Sequence, residues 1–286
     1  MSDRLAVRKT YKLYLGGAFP RSESGRSYPV HSAKGELLAH AAQASRKDVR
    51  DAVVAARKAF GGWSKATAYN RGQILYRIAE MLEGRRAQFA DEVSAVEGGS
   101  AKAALTLVDE AIDRWVYYAG WADKYAQVAG NTNPVAGPYF TFSLPEPTGV
   151  VGVLAPQESS LSGLVSVLAP VLVTGNTAVV VASQERPLPA VSLTEVLATS
   201  DLPGGVVNLL TGSTAELAPW LAAHRDVNAI DLTGAAPEQR AALETAAADN
   251  VKRVFVPRST AWADDPGTSR MTAFVETKTV WHPIGV

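Results

Sequence analysis

The sequence predicts an α/β protein built on a doubly wound parallel sheet, with helices before it and a small antiparallel element beside it. Three observations carry this. From Gly149 to Pro257, short β-branched runs alternate with helical runs. Strands so joined must connect by right-handed parallel crossovers. The N-terminal half repeats its apolar residues at helical spacing, and two outlying segments, Tyr139–Leu144 and Thr272–Trp281, alternate with period two.

Element by element, the chain opens with a short strand and turn, then becomes helical. Val49, Ala52, Val53, Ala56 and Phe60 follow a 3-4-3-4 spacing between Ser45 and Trp63, with Ser45 and Asp48 placed as a capping box. A second helix over Asn70–Glu83 buries Ile74, Leu75, Ile78 and Leu82, and a third over Ala101–Tyr125 carries Ile112, Trp115, Val116 and Ala119 on one stripe. The texture breaks at "GNTNPVAGPYFTFSLPEPTG", where Gly, Asn and Pro cluster. In the strand that follows, Phe140, Phe142 and Leu144 face one side and Tyr139, Thr141 and Ser143 the other, half-buried in a projecting hairpin.

The sheet strands are expected at Val150–Leu154, Thr177–Val181, Val206–Leu210, Ala229–Leu232 and Arg253–Val256. Their crossover helices are expected near Leu161–Val173, Leu188–Thr199, Ala215–Ala223 and Glu238–Ala248. After the polar "RSTAWADDPGTSR" a closing strand is expected over Thr272–Trp281, with Ala273, Val275, Thr277 and Thr279 on one face.

Composition narrows the function. The 286 residues suffice for one large domain, or one domain with an appendage. Lys+Arg and Asp+Glu are both 28, a balance that argues against nucleic acid or an anionic membrane as partner. The basic runs "SRKDVR" and "EGRRAQ" read as solvated helix faces. Cysteine is absent, which excludes disulfides, thiolate metal sites and a thiolate nucleophile for these residues. His31, His40, His224 and His282 show no metal spacing and read as surface or packing residues, so no metal is expected. With no long apolar run, a cytoplasmic protein is the expectation.

The familiar motifs are missing: no G-x-G-x-x-G follows a strand, and there is no G-x-x-x-x-G-K-[ST], Tyr-x-x-x-Lys or G-x-S-x-G. A longer constellation is present instead. "EPTGVVGVLAP", "LAPVLVTGNTAVVV", "DLPGGVVNLLTG" and "AIDLTG" occur in order, after "YLGGAFPRSESGRSYPVHSAKGELLAHAAQAS", "DVRDAVVAARKAFGGWS" and "RGQILYRIAEMLEGR". Together they resemble the nucleotide-binding half of the NAD(P)-dependent aldehyde dehydrogenases, from Tyr11 to about Val256 and again at "FVETKTVWHPIG". The resemblance implies a Rossmann-like fold of the aldehyde dehydrogenase N-terminal type.

It also locates a cleft whose working residues have changed. The family's Pro-Trp-Asn falls at Pro156, Gln157 and Glu158; a carboxylate at Glu158 repels an oxyanion that the Asn would hold. The ribose-binding Lys falls at Val181 and the acidic ribose ligand at Gln184. Of Phe-Thr-Gly-Ser, the stretch Leu232, Thr233, Gly234 and Ala235 keeps the middle two, and the general-base Glu falls at Pro257. Two lost hydrogen bonds at the ribose, at roughly 1.5–3 kcal/mol each, weaken binding by about two to four decades.

The expectation that follows has no catalytic residue, no confident cofactor-binding residue, and at most weak NAD(P) affinity. Residues 5–130 and 149–258 form the nucleotide-binding-type domain, residues 131–148 and 265–286 an oligomerisation arm, and the catalytic domain is absent. Tyr139, Phe140, Phe142, Leu144, Val275, Thr277, Thr279 and Trp281 line the arm. The family's arm extends the catalytic-domain sheet of a neighbouring subunit, which implies a non-catalytic subunit that scaffolds or regulates a full-length aldehyde dehydrogenase. Three alternatives stand beside it: an NAD(P)-sensing module using Thr233, Gly234 and backbone amides; an oxidoreductase completed by its partner; and an arm whose two segments pair only with each other.

Overall fold

The computed structural model describes residues 9–257 and 261–285; residues 5–8, 258 and 286 of the expected segments lie outside the described residues. An antiparallel hairpin of β1 (Ser27–His31) and β2 (Leu37–Ala42) leads into α1 (Arg46–Lys65), α2 (Ala68–Glu83), α3 (Arg86–Glu97), α4 (Ala101–Trp121) and a short α5 (Tyr125–Ala129). Two strands follow, β3 (Asn131–Asn133) and β4 (Tyr139–Pro147). Next come β5 (Val150–Leu154), α6 (Ser162–Val173), β6 (Thr177–Val181), α7 (Leu188–Ala198), β7 (Val207–Leu210), α8 (Thr214–Ala223), β8 (Ala229–Asp231), α9 (Pro237–Ala248) and β9 (Arg253–Phe255). The described chain closes with α10 (Ser269–Ala273) and β10 (Val275–Pro283).

The five parallel strands run β7-β6-β5-β8-β9. Alternate strand residues feed opposite layers. Val151, Val153, Ala178 and Val180 pack with α2, α3, α4, α6 and α7, whereas Val150, Leu154, Val179 and Val181 pack with α1, α8 and α9. The central strands β5 and β6 are therefore covered on both faces, which is why they read as near-continuous apolar runs, whereas β9 at the edge is largely exposed. α6 is buried along its whole length and is apolar on every side, as a central helix requires. The outer edge of β7 is also covered: Tyr14 and Leu209 exchange backbone hydrogen bonds at 3.0 and 2.7 Å.

At the start of α1 the Asp48 carboxylate accepts the Ser45 N–H at 2.7 Å, so that half of the expected capping box is made. Asn176, in the Gly-Asn turn before β6, is fully buried. Its Oδ1 accepts the Gly149 N–H at 2.8 Å, and its Nδ2 donates to Thr174 Oγ1 at 2.9 Å and to the Phe274 carbonyl at 2.8 Å. That turn is structural: it fastens two strand starts to the C-terminal segment.

Three expectations need correction. The run "EGRRAQ" is not one helix face, because Gly84 caps α2 and α3 starts afresh at Arg86. The third long helix stops at Trp121, with a turn before α5. The closing strand does not begin at Thr272: residues 269–273 coil into α10, which buries Met271 and Phe274 completely. Burial of these two large side chains, worth roughly 1.5–3 kcal/mol each, overrides the period-two alternation there.

Candidate functional site

In an open parallel sheet, ligands sit outside the carboxyl ends of the strands where the strand order reverses, here between β5 and β8. The residues at that mouth are bonded to one another. Gln157 Nε2 donates to the Ala155 carbonyl at 2.8 Å, and its Oε1 accepts the Gln184 N–H at 3.0 Å. Ser183 Oγ donates to the Gln157 carbonyl at 2.9 Å, and Arg186 donates to the Glu158 carbonyl. The Glu158 side chain points to solvent. Val181 is fully buried, and Pro156 is buried beside it. The loops after β5 and β6 are thus laced together by the Gln157, Ser183 and Arg186 side chains where the resemblance implies charged ribose ligands.

The loop after β8 is equally self-satisfied. The Thr233 N–H donates to Asp231 Oδ1 at 2.9 Å, the Gly234 N–H to the Leu154 carbonyl at 2.9 Å, and the Ala235 N–H to the Leu232 carbonyl at 3.0 Å. A side chain on Gly234 would collide with the Ala155 carbonyl, so glycine is what lets this loop close on β5. The three successive amides an anion would need are all engaged. The next helix offers little more: α9 has Ala236 at its N-cap without a side-chain bond, Pro237 without an N–H, and Glu238 in its first turn.

Asp231 and Arg270 were not singled out from the sequence. Asp231, the last residue of β8, is fully buried, and Arg270 of α10 is 8% exposed. Their side chains form an ion pair. Thr233 Oγ1 donates to Asp231 and accepts from Arg270 Nη2 at 3.1 Å. Burial pushes the Asp231 carboxyl upward, with Arg270 and the Thr233 bonds opposing. One signal was available: a lone Asp inside the apolar run "NAIDLTG" demands a buried cation.

The three-stranded sheet runs β10-β4-β3, wholly antiparallel. Pairing of Phe142 with Val280 and of Ser143 with Thr279 fixes its faces. Phe140, Phe142 and Leu144 share one face with Val280; Tyr139 shares the other with Val275, Thr277, Thr279 and Trp281. The expected alternation in β4 is present, but its buried residue is Thr141, not an aromatic one. Tyr139, Phe140, Leu144 and Trp281 are 43%, 49%, 43% and 58% exposed; Thr277 and Thr279 are exposed, and Phe142 and Val275 half-buried.

The backbone bonds flanking β10, Thr148 N–H to the Phe274 carbonyl and Ile284 N–H to the Pro138 carbonyl, fix its phase. Even-numbered residues bond to β4, and Val275, Thr277, Thr279 and Trp281 direct their N–H and C=O groups to the outer edge. An Arg253–Glu276 ion pair, with contacts at 2.6 and 2.7 Å, ties this sheet to β9. Among the described residues, no helix is long and apolar enough to cross a membrane, and no group of acidic and histidine side chains has a metal-binding arrangement.

Comparison with known proteins agrees with this geometry. A model of the Aldehyde dehydrogenase family matches residues 19–257. Retinal dehydrogenase 2 of Homo sapiens is 34% identical over 259 residues, which make up 88% of this chain and 49% of the relative. Cytosolic 10-formyltetrahydrofolate dehydrogenase of Mus musculus is 34% identical over 88% of this chain and 28% of the relative. The chain therefore spans about half, or less, of the length of these relatives. Among solved structures, betaine aldehyde dehydrogenase from Staphylococcus aureus in complex with NAD+ superposes with a TM-score of 0.81 at 25% identity, covering 85% of this chain and 49% of that one. HpcC from Thermus thermophilus gives 0.80 at 31% identity, covering 86% and 47%.

Proposed function

The chain belongs to the aldehyde dehydrogenase family, and from that premise we propose that it is a non-catalytic subunit that scaffolds or regulates a full-length aldehyde dehydrogenase. The observation that carries this reading is the outer edge of β10, where Val275, Thr277, Thr279 and Trp281 turn unpaired backbone groups outward beside exposed aromatic side chains. Such an edge is a template for strand addition and is ordinarily covered.

In this reading residues 5–130 and 149–258 are the nucleotide-binding-type domain, and residues 131–148 and 265–286 the oligomerisation arm. A cytoplasmic setting belongs to it. The mouth of the sheet supports it, since the Gln157 side chain and the Thr233, Gly234 and Ala235 amides are already bonded within the chain. In the test, the purified chain is incubated with a panel of aldehydes and NAD or NADP. No aldehyde-dependent NADH or NADPH is expected, and turnover would sink the reading.

A second reading, an NAD(P)-binding or sensing module, is favoured by the likeness to a betaine aldehyde dehydrogenase solved with NAD+. Calorimetric titration separates the two, since only the second predicts saturable binding.

A further inference from the structure

We propose that residues 261–274 are a built-in stopper over the carboxyl ends of β8 and β9, latched by Arg270. Each end of the segment is anchored differently. At its C-terminal end Met271 and Phe274 are fully buried, and the Phe274 ring lies 6.0 Å from that of Phe255. At its N-terminal end Arg114 of α4, itself 8% exposed, donates to the Trp262 and Asp264 carbonyls, the latter at 3.2 Å. The Trp262 ring lies against Gly163 in the first turn of α6, where no side chain holds it off.

Between these anchors Arg270 reaches inward. Its guanidinium stacks over Phe255 at 4.7 Å and faces Trp262 at 5.9 Å, and its nitrogens engage Asp231 and Thr233. Beneath the segment remains a hollow of about 500 Å³, with Ser166, Arg114, Phe255 and Trp262 among its walls. Packing alone does not call for this arrangement, since an aliphatic residue at position 231 would complete the strand. A buried carboxylate needs its cation. Arg270 supplies the only ion pair Asp231 makes among the described residues, so the strand end is satisfied only while the segment is seated. The segment thus covers the face of β8 and β9 that carries Asp231 and Phe255, on the side of α4 and α6.

The chain has no cysteine, so a single engineered thiol reports one place. Ser166 lines the hollow, is 4% exposed, and bonds back to the Ser162 carbonyl at 2.8 Å. Ser200 is fully buried at the far edge of the sheet and bonds back in the same way to the Val196 carbonyl at 2.6 Å. Ser166→Cys and Ser200→Cys are labelled with an aryl disulfide in the native background and with Arg270→Met. Release of the stopper should accelerate labelling at position 166 on the order of tenfold or more and leave position 200 unchanged. Equal acceleration at both positions, or none at 166, overturns the proposal. If Arg270→Met does not fold, Arg114→Met frees the other anchor without stranding Asp231, and the same comparison decides.

Discussion

Gln157 and Gln184 are joined across the carboxyl ends of β5 and β6, the Gln157 side-chain oxygen accepting the Gln184 N–H at 3.0 Å. With the neighbouring Gln157–Ala155 bond, this engages the Gln157 amide and the Gln184 N–H within the chain, where the resemblance implies ribose ligands. Isothermal titration with NAD and with NADP is therefore expected to show no saturable binding in the micromolar range. A saturable micromolar isotherm would put the nucleotide-module reading first.

Asp231→Ala removes one partner of a buried ion pair and strands Arg270 in an apolar setting. The expected loss is about 3–5 kcal/mol in denaturant unfolding. The double variant Asp231→Ala, Arg270→Met should regain most of it, because neither charge is then left alone. Additive losses in the double variant would show that the two residues act separately.

Gly234→Ala drives a methyl group into the Ala155 carbonyl and forces the β8 loop away from β5. A cost of about 1–3 kcal/mol is expected, read as a lower thermal midpoint. Gly25→Ala makes a useful contrast: the added methyl meets nothing there, and only the positive φ is strained.

Glu195 takes ion pairs from Lys9 at 2.7 Å and Arg85 at 2.8 Å. Burial pushes its carboxyl up, but the hydrogen bonds from Lys9 and Arg85 outweigh burial and hold it below the ordinary glutamate range. A depressed folded-state value means a stabilisation present above the ordinary value and lost as pH falls through the folded one. Because the pair is about one-third exposed, the effect is small, about 0.5–1 kcal/mol. Glu195→Gln should lower stability at pH 7, and the difference from the native chain should shrink as pH falls below the ordinary glutamate value. A difference that stays constant down to the acid transition would contradict this.

The centre of the sheet was legible because β5 and β6 are buried on both faces and read as β-branched runs; Thr177–Val181 and Val150–Leu154 fall where expected. The mouth of the sheet was legible only through resemblance, since Gln157 and Gln184 are ordinary polar residues until their loops are brought together. The Asp231–Arg270 pair escaped because its members lie 39 residues apart on elements whose juxtaposition depends on the whole sheet. α10 escaped because the period-two alternation of the closing strand runs back into Thr272 and Ala273, while the contacts that bury Met271 and Phe274 depend on the rest of the fold. In β4 the expected alternation is present, and the buried position is Thr141. Side-chain periodicity gives two faces, and which one is covered depends on neighbours such as Trp281 across the pair from Thr141.

The most direct test of the scaffold function is mild affinity purification of the tagged chain from its own host, run beside Thr279→Pro. Proline there removes an outward N–H from the β10 edge and leaves the bonds to β4 intact. The expected result is a full-length aldehyde dehydrogenase recovered in fixed ratio with the native chain and lost with the variant. A native chain that emerges alone as a homomer, or a partner retained equally by both forms, would contradict it.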